Sequence, residues 1–312
     1  MTGYNGCMQN ILVIGGAGFI GYHLSCALAD QGYNVTVVDL SKPAAKFPES
    51  IKLIKKNIIV ADVDFSKFDY VIHLAALVGV KRGIVDPLGS IQANYETTKY
   101  LAEQCDKFRV PIFFTSTSEV YGTNDSVPLL ETSQRVVGPP NDSRWVYSDS
   151  KALAERLLLS YHYTSGLDVK IGRLFNVAGP HQAVSYGMVI PRFVSFATTN
   201  KPLTVYGDGT QTRAFCHVDD AVDAIIKIIS DGISGEVYNI GNPSEISIID
   251  LANTVINQTR SKSSIKFVPY SEVFDNYTEI YRRVPDINKL MSLGWLPKKS
   301  LFDIIKDVKE SL

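Results

Sequence analysis

VIGGAGFIG, residues 13–21, sets three glycines, Gly15, Gly18 and Gly21, at the end of the aliphatic run NILVIGG. The segment GFIGYHLSCALADQG follows with helical spacing and stops at Gly32. A strand that turns through glycines into a helix has a physical purpose. Gly15 permits the tight turn, Gly18 lets the backbone approach a pyrophosphate, and Gly21 lets the helix pack close to the strand. The helix N-terminus, with Phe19 and Ile20 in its first turn, then faces the anion. The spacing is G-x-x-G-x-x-G, and its context decides its meaning. The second strand-like run, NVTVVDL, brings Asp39 to its end. An acid there accepts hydrogen bonds from an adenosine ribose and repels a 2′-phosphate, which favours NAD over NADP.

The alternation continues outward from this turn. KNIIVAD, FDYVIHLAA, PIFFTSTS and DVKIGRLFN read as further buried strands, with helices over 87–108 and 146–165. Such alternation predicts an α/β fold, a Rossmann-type doubly wound parallel sheet covered on both faces. Residues 1–176 are expected to form the NAD-binding domain, with 213–230 returning to it. From about Val177 the rhythm loosens, and 177–312 reads as a smaller mixed α/β substrate-binding region. Helical segments are expected near 189–199, 218–230, 247–259 and 301–311.

Composition narrows the function classes. The chain has 312 residues, 45% hydrophobic and 20% charged, with a net charge of −1. That is a globular balance with no electrostatic footprint for nucleic acid. No apolar run reaches membrane-spanning length, and the start MTGYNGCMQN has no signal pattern. Cys7, Cys26, Cys105 and Cys216 are scattered, which argues against a zinc site or disulfide framework and for a reducing cytoplasm.

Two tyrosines stand four residues before a lysine, Tyr95 before Lys99 and Tyr147 before Lys151. Ligands of a doubly wound sheet sit beyond the carboxyl ends of its strands. FFTSTSEVYG (113–122) ends a strand in Thr115, Ser116, Thr117, Ser118 and Glu119, and Tyr147 begins the helix that follows. Tyr147 therefore has the better address. Lys151 is expected to lower the tyrosine pKa and to hold nicotinamide ribose hydroxyls. Tyr147 would then take a proton from a sugar hydroxyl that Thr117 also binds. Two weaker cofactor contacts are Asp62 with Val63, read as a strand end facing the adenine, and Leu74, Ala75 and Ala76, small residues against which a flat cofactor could lie.

With these motifs in order, the chain resembles the extended short-chain dehydrogenase/reductase family. More narrowly it is similar to the nucleotide-sugar epimerases, dehydratases and decarboxylases. RLFNVAGP (173–180), GMVIPRF (187–193), VYGDGTQTRAFCHVDD (205–220), YNIGNPSEISI (238–248) and RRVPDINKLMSLGW (282–295) extend the likeness over nearly the whole chain. The resemblance implies bound NAD and hydride transfer at C4 of a nucleotide-sugar, UDP-linked by expectation, through a 4-keto intermediate. It implies a cofactor contact at Asn94 and substrate contacts at Asn176, Val189, Tyr206, Arg213 and Arg283. It also implies a homodimer through the helices near 88–107 and 147–165.

Three reactions share that intermediate. The triplet Thr117-Ser118-Glu119 and the RRVPD segment are similar to UDP-glucuronate decarboxylases. Dehydratases carry an Asp at position 118, and a serine hydroxyl is a poor proton donor by comparison. Met188 stands where the decarboxylases have an Arg, and YSDSK replaces their Y-D-E-G-K. A UDP-hexose or UDP-hexuronate 4-epimerase therefore stays open, then a dehydratase, and most remotely a non-catalytic NAD-binding protein.

Overall fold

The structure, a computed structural model, describes residues 9–77, 84–184, 187–272 and 278–312. Cys7 lies outside the described residues. The chain divides into two compact units. Residues 121–140, 174–224 and 238–312 form the second unit, and 141–173 and 225–237 belong to the first with the N-terminal residues to 120.

The strands in chain order are β1 (Asn10–Ile14), β2 (Asn34–Asp39), β3 (Lys52–Lys55), β4 (Tyr70–His73), β5 (Ile112–Thr117), β6 (Val169–Leu174), β7 (Val177–Ala178), β8 (Leu203–Tyr206), β9 (Thr212–Ala214), β10 (Cys216–His217), β11 (Glu236–Ile240), β12 (Glu245–Ser247) and β13 (Ile265–Val268). The helices are α1 (Phe19–Asp30), α2 (Pro87–Phe108), α3 (Val146–Ser165), α4 (Val189–Thr198), α5 (Val218–Asp231), α6 (Ile248–Thr259), α7 (Asn288–Met291) and α8 (Leu301–Glu310).

A seven-stranded sheet has the order β11-β6-β5-β4-β1-β2-β3. Strands β3, β2, β1, β4 and β5 run parallel in register, as in Val13 opposite Val37 and Ile72. This is the doubly wound α/β sheet that the alternation predicts. The order reverses beside β1, and there the carboxyl ends of the strands leave a crevice. In β1 every residue from Ile11 to Ile14 is buried, because helices cover both faces of such a sheet. Leu12, Val71, Ile112 and Phe114 join Leu101, Ala154 and Leu158 in the first unit's core. Each fully buried aliphatic side chain there is worth roughly 1.5–3 kcal/mol relative to exposure.

KNIIVAD is not a strand. The edge strand is β3, and Ile58–Val60 form a 3-10 turn in which the Ile59 N–H donates to the Asn57 side chain. Helices α2 and α3 have clear ends. Asp86 caps α2 by accepting from Gly89 N–H, and Pro87 occupies its first turn, where a missing N–H costs nothing. Gly166, at φ 75°, ends α3 in the left-handed conformation that glycine adopts without strain.

The second unit packs α4, α6 and α8 around Phe193, Leu203, Leu251, Val255 and Ile304. Its small sheets are β7–β10, β9–β12 and β8–β13. Among the described residues no helix is long and apolar enough to cross a membrane.

Candidate active site

The glycine turn is built as its spacing requires. Gly15 has φ 83°, and a Cβ there would come 2.5 Å from Ala75 N. A Cβ on Gly21 would strike Gly15 O and the Gly16 backbone. Gly18 is the N-cap of α1 and supplies no side chain, and no acid occupies the first turn beginning at Phe19 and Ile20. The first N–H groups of α1 therefore present uncompensated positive dipole to an anion. Leu74 N–H donates to Ile14 O, which lays Leu74 and Ala75, with Ala76 next in chain, beside the turn. Asp39 accepts from Ala17 N–H at 3.0 Å and from Ser41 N–H at 2.8 Å, so its carboxylate is held at the end of β2. These residues fit NAD: the turn would take the diphosphate and the remaining lone pairs of Asp39 the adenosine ribose.

One expected contact is placed differently. Asp62 is exposed, with φ 51°, beyond the 3-10 turn rather than at a strand end, and Val63 packs against the core. Asn94 is buried, and its amide ties parts of the unit together. It accepts from Leu77 N–H at 2.9 Å and donates to Ser150 Oγ at 3.0 Å. It joins the segment after β4 to α3.

Strand β5 and helix α3 then bring the reactive groups together. Tyr147 is the second residue of α3 and is buried. Burial, and after it the Glu119 charge, push its phenol above the ordinary value, while a hydrogen bond with Thr117 opposes them. Lys151 is not what shifts Tyr147 here. Its Nζ donates to Thr115 O at 2.8 Å and lies 4.5 Å over the Phe114 ring. Burial lowers its own pKa to about 7, with Glu155 opposing. Glu155 in turn accepts from Ser116 Oγ at 2.5 Å and from both arms of Arg173. Ser118 is buried in the turn Ser118–Tyr121. The rejected pair behaves as a surface pair: Lys99, half exposed, reaches Glu103 at 3.7 Å.

His73, at the end of β4, is fully buried, and burial followed by the Lys151 charge drive its pKa down. Thr98 donates its only hydroxyl proton to Asn94 O at 2.6 Å, so it accepts from His73 Nε2, 3.0 Å away. The neutral tautomer with the proton on Nε2 follows.

Sequence reasoning overlooked Arg144. It is 5% exposed, and its Nη1 stands 3.0 Å from Glu119 Oε2. Its position three residues before Tyr147 is the only trace in the sequence.

The second unit holds a cavity of about 310 Å³. Asn176, Val189, Tyr206, Arg213, Arg192, Tyr270 and Glu279 are among its lining residues. Asn176 donates through Nδ2 to Ala214 O at 3.0 Å. Arg192 donates to Tyr206 Oη at 2.9 Å and to Thr204 O at 3.1 Å. Arg213 donates to Glu279 Oε1 and Ile280 O, each at 2.7 Å. Arg283 is not among the lining residues. It is buried and donates to Gly122 O at 3.1 Å.

Known proteins are similar to this chain in sequence and fold. A UDP-N-acetyl-α-D-glucosaminuronate decarboxylase of Bacillus cytotoxicus is 38% identical over 297 residues, covering 91% of each chain. UDP-glucuronic acid decarboxylase 4 of Arabidopsis thaliana is 33% identical over 93% of this chain, which spans 66% of that protein. Among solved structures, a UDP-glucuronic acid 4-epimerase from Bacillus cereus, in complex with UDP-glucuronic acid and NAD, superposes with a TM-score of 0.86. It is 29% identical, and 97% of this chain and 98% of that one are covered. The NAD dependent epimerase/dehydratase family model matches residues 11–241, and the chain belongs to that family of NAD-dependent enzymes.

Proposed function

We propose that the chain decarboxylates a UDP-linked hexuronate through a 4-keto sugar. The observation that carries this reading is the set Thr117, Ser118, Glu119 at the end of β5 beside Tyr147. It supplies one carboxylate, and a buried serine where elimination of water would need a second acid. The named activities of the B. cytotoxicus and A. thaliana relatives support it.

NAD, when bound, supplies a reversible hydride acceptor. The chain's own residues handle binding and protons. Gly15, Gly18 and the start of α1 bind its diphosphate, and Asp39 orients the adenosine ribose. Burial and Glu119 hold the free Tyr147 phenol above its ordinary value, so it is the phenolate, which the positive charge of bound NAD would favour, that takes the proton from the sugar O4, and Thr117 Oγ1 holds that hydroxyl. Lys151 keeps its cationic form at pH below about 7 and offers Nζ protons to ribose hydroxyls. A ketone at C4 makes the C5 carboxylate a β-keto acid, so carbon dioxide leaves and the electron pair moves to O4. Protonated Tyr147 hydrogen-bonds that oxygen. A proton of solvent origin then replaces the carboxylate at C5, with Glu119 handling it. The cavity of the second unit takes the nucleotide. Arg213 is its anion-binding group, since a guanidinium matches phosphate bidentately.

Met188 in GMVIPRF and the B. cereus neighbour favour a second reading, 4-epimerisation of the same substrate class. Mass spectrometry and proton NMR of products from UDP-glucuronate and UDP-N-acetylglucosaminuronate separate the two. Loss of carbon dioxide from either supports decarboxylation, and a mass-neutral C4 mixture supports epimerisation.

The homodimer is part of this proposal. Leu88, Ile91 and Leu153 are exposed on α2 and α3 and suit a contact between copies. Light scattering at twice the chain mass, reduced to one chain by Ile91→Asp, is the expected result.

A further inference from the structure

Glu119 is not left to its own rotamer preferences. Its peptide oxygen accepts from Ser148 Oγ at 2.8 Å, and its N–H donates to Thr117 Oγ1 at 3.2 Å. Those contacts fix the backbone. The carboxylate itself is gripped by Arg144, at 3.0 Å. Arg144 is itself fixed in backbone and side chain. Its N–H donates to Asp142 Oδ1 at 2.9 Å, which caps the turn Ser143–Trp145. Its guanidinium carbon lies 4.9 Å over the Trp145 ring. Its side chain is 5% exposed, against 19% for Glu119. A guanidinium this buried would be left as an uncompensated charge if its carboxylate swung away, so the two groups hold each other in place. It also stands one helical turn before Tyr147, the group whose phenol feels the Glu119 charge.

We propose that Arg144 is a positioning residue that acts on the reaction only through Glu119, by setting where the Glu119 carboxylate stands beside Tyr147. The inference rests on the proton-handling role given to Glu119 above and names the group that controls it. Replacing Arg144 by an apolar side chain frees the carboxylate to swing or to take up a proton. Either change removes it from the place where it handles the sugar's proton. A lysine keeps the charge but not the planar fork, so it restores the pair in part.

The test is a double-mutant cycle on Arg144→Met, Arg144→Lys, Glu119→Gln and Arg144→Met/Glu119→Gln. Thermal melting and NAD binding serve as folding controls. For whichever UDP-hexuronate conversion the protein performs, Arg144→Met is expected to lower kcat about tenfold or more with KM nearly unchanged. Arg144→Lys recovers part of the loss, and Arg144→Met adds less than about threefold on top of Glu119→Gln. A second readout needs no turnover. Carbon-13 NMR of the Glu119 carboxyl, assigned by its loss in Glu119→Gln, is expected to titrate at higher pH in Arg144→Met than in the parent. Independent, multiplicative losses in the cycle, or an unmoved Glu119 titration, overturn the proposal. If Arg144→Met does not fold, the same two readouts on Arg144→Lys decide it. A mass-neutral product with the coupling intact refutes decarboxylation while supporting the role of Arg144.

Discussion

Thr117, Glu119, Tyr147 and Lys151 come from two adjoining segments of the first unit, whereas the cavity of the second unit draws on positions scattered from Asn176 to Glu279. The difference reaches into their electrostatics. In the first unit the charged groups are fixed by neighbours that leave the reacting atoms in place: Lys151 on Thr115 O, Glu119 on Arg144. In the second unit Arg213 is held by the Glu279 carboxylate, an anion that a phosphate must displace or share. On the proposed reading, the first region is preorganised for chemistry, and the second carries an internal competitor for the phosphate it would bind.

The largest expected break between the two regions is Tyr147→Phe. Losing the proton acceptor should lower kcat about a hundred- to ten-thousand-fold. Calorimetric affinity for UDP, read in the second unit, should not change.

Lys151→Met should also abolish turnover, yet raise the melting temperature. The sign follows from linkage. The folded pKa of about 7 lies below the ordinary 10.5, so the unfolded chain binds more protons between those values. The destabilisation is full below about pH 7 and fades as pH rises through 10.5. Removing the amine should therefore stabilise most at or below neutrality, on the order of a few kcal/mol, and not at high pH. Glu155 keeps its Arg173 partner in that variant. Melting curves across pH check the sign.

The cavity should respond in the opposite pattern. Arg213→Ala should weaken UDP binding about ten- to a hundredfold, the range for a charge-assisted hydrogen bond, with kcat little altered. Glu279→Gln should tighten it severalfold by removing the competitor. The smallest effect belongs to Arg282→Ala. Arg282 is half exposed against Glu245, and its loss should change stability by less than about 1 kcal/mol in denaturant titration.

The same contrast explains what was legible in the sequence. The glycine turn, β5 and α3 are contiguous motifs, and their boundaries follow from apolar runs, caps and hydroxyl-rich strand ends. Even the choice of Tyr147 over Tyr95 needed only the address of each beside β5. The strand assigned to KNIIVAD failed because Ile58–Val60 imitate a buried run, while the true edge strand Lys52–Lys55 is half exposed and carries a weak apolar signal. The passage of residues 121–140 to the second unit leaves no composition change to read. Arg144, Arg192 and Glu279 were missed for a related reason. Their partners are 25, 14 and 66 residues away in sequence, so their roles exist only after folding. Arg283, expected at the substrate, is buried with a hydrogen bond to Gly122 O, 161 residues away in sequence.

The most direct measurement is turnover of UDP-glucuronate and UDP-N-acetylglucosaminuronate in heavy water, with products read by NMR and mass. Decarboxylation through the 4-keto acid puts a solvent deuterium at C5 of a product that has lost carbon dioxide. A product of unchanged formula, inverted at C4 and free of solvent deuterium, would contradict it.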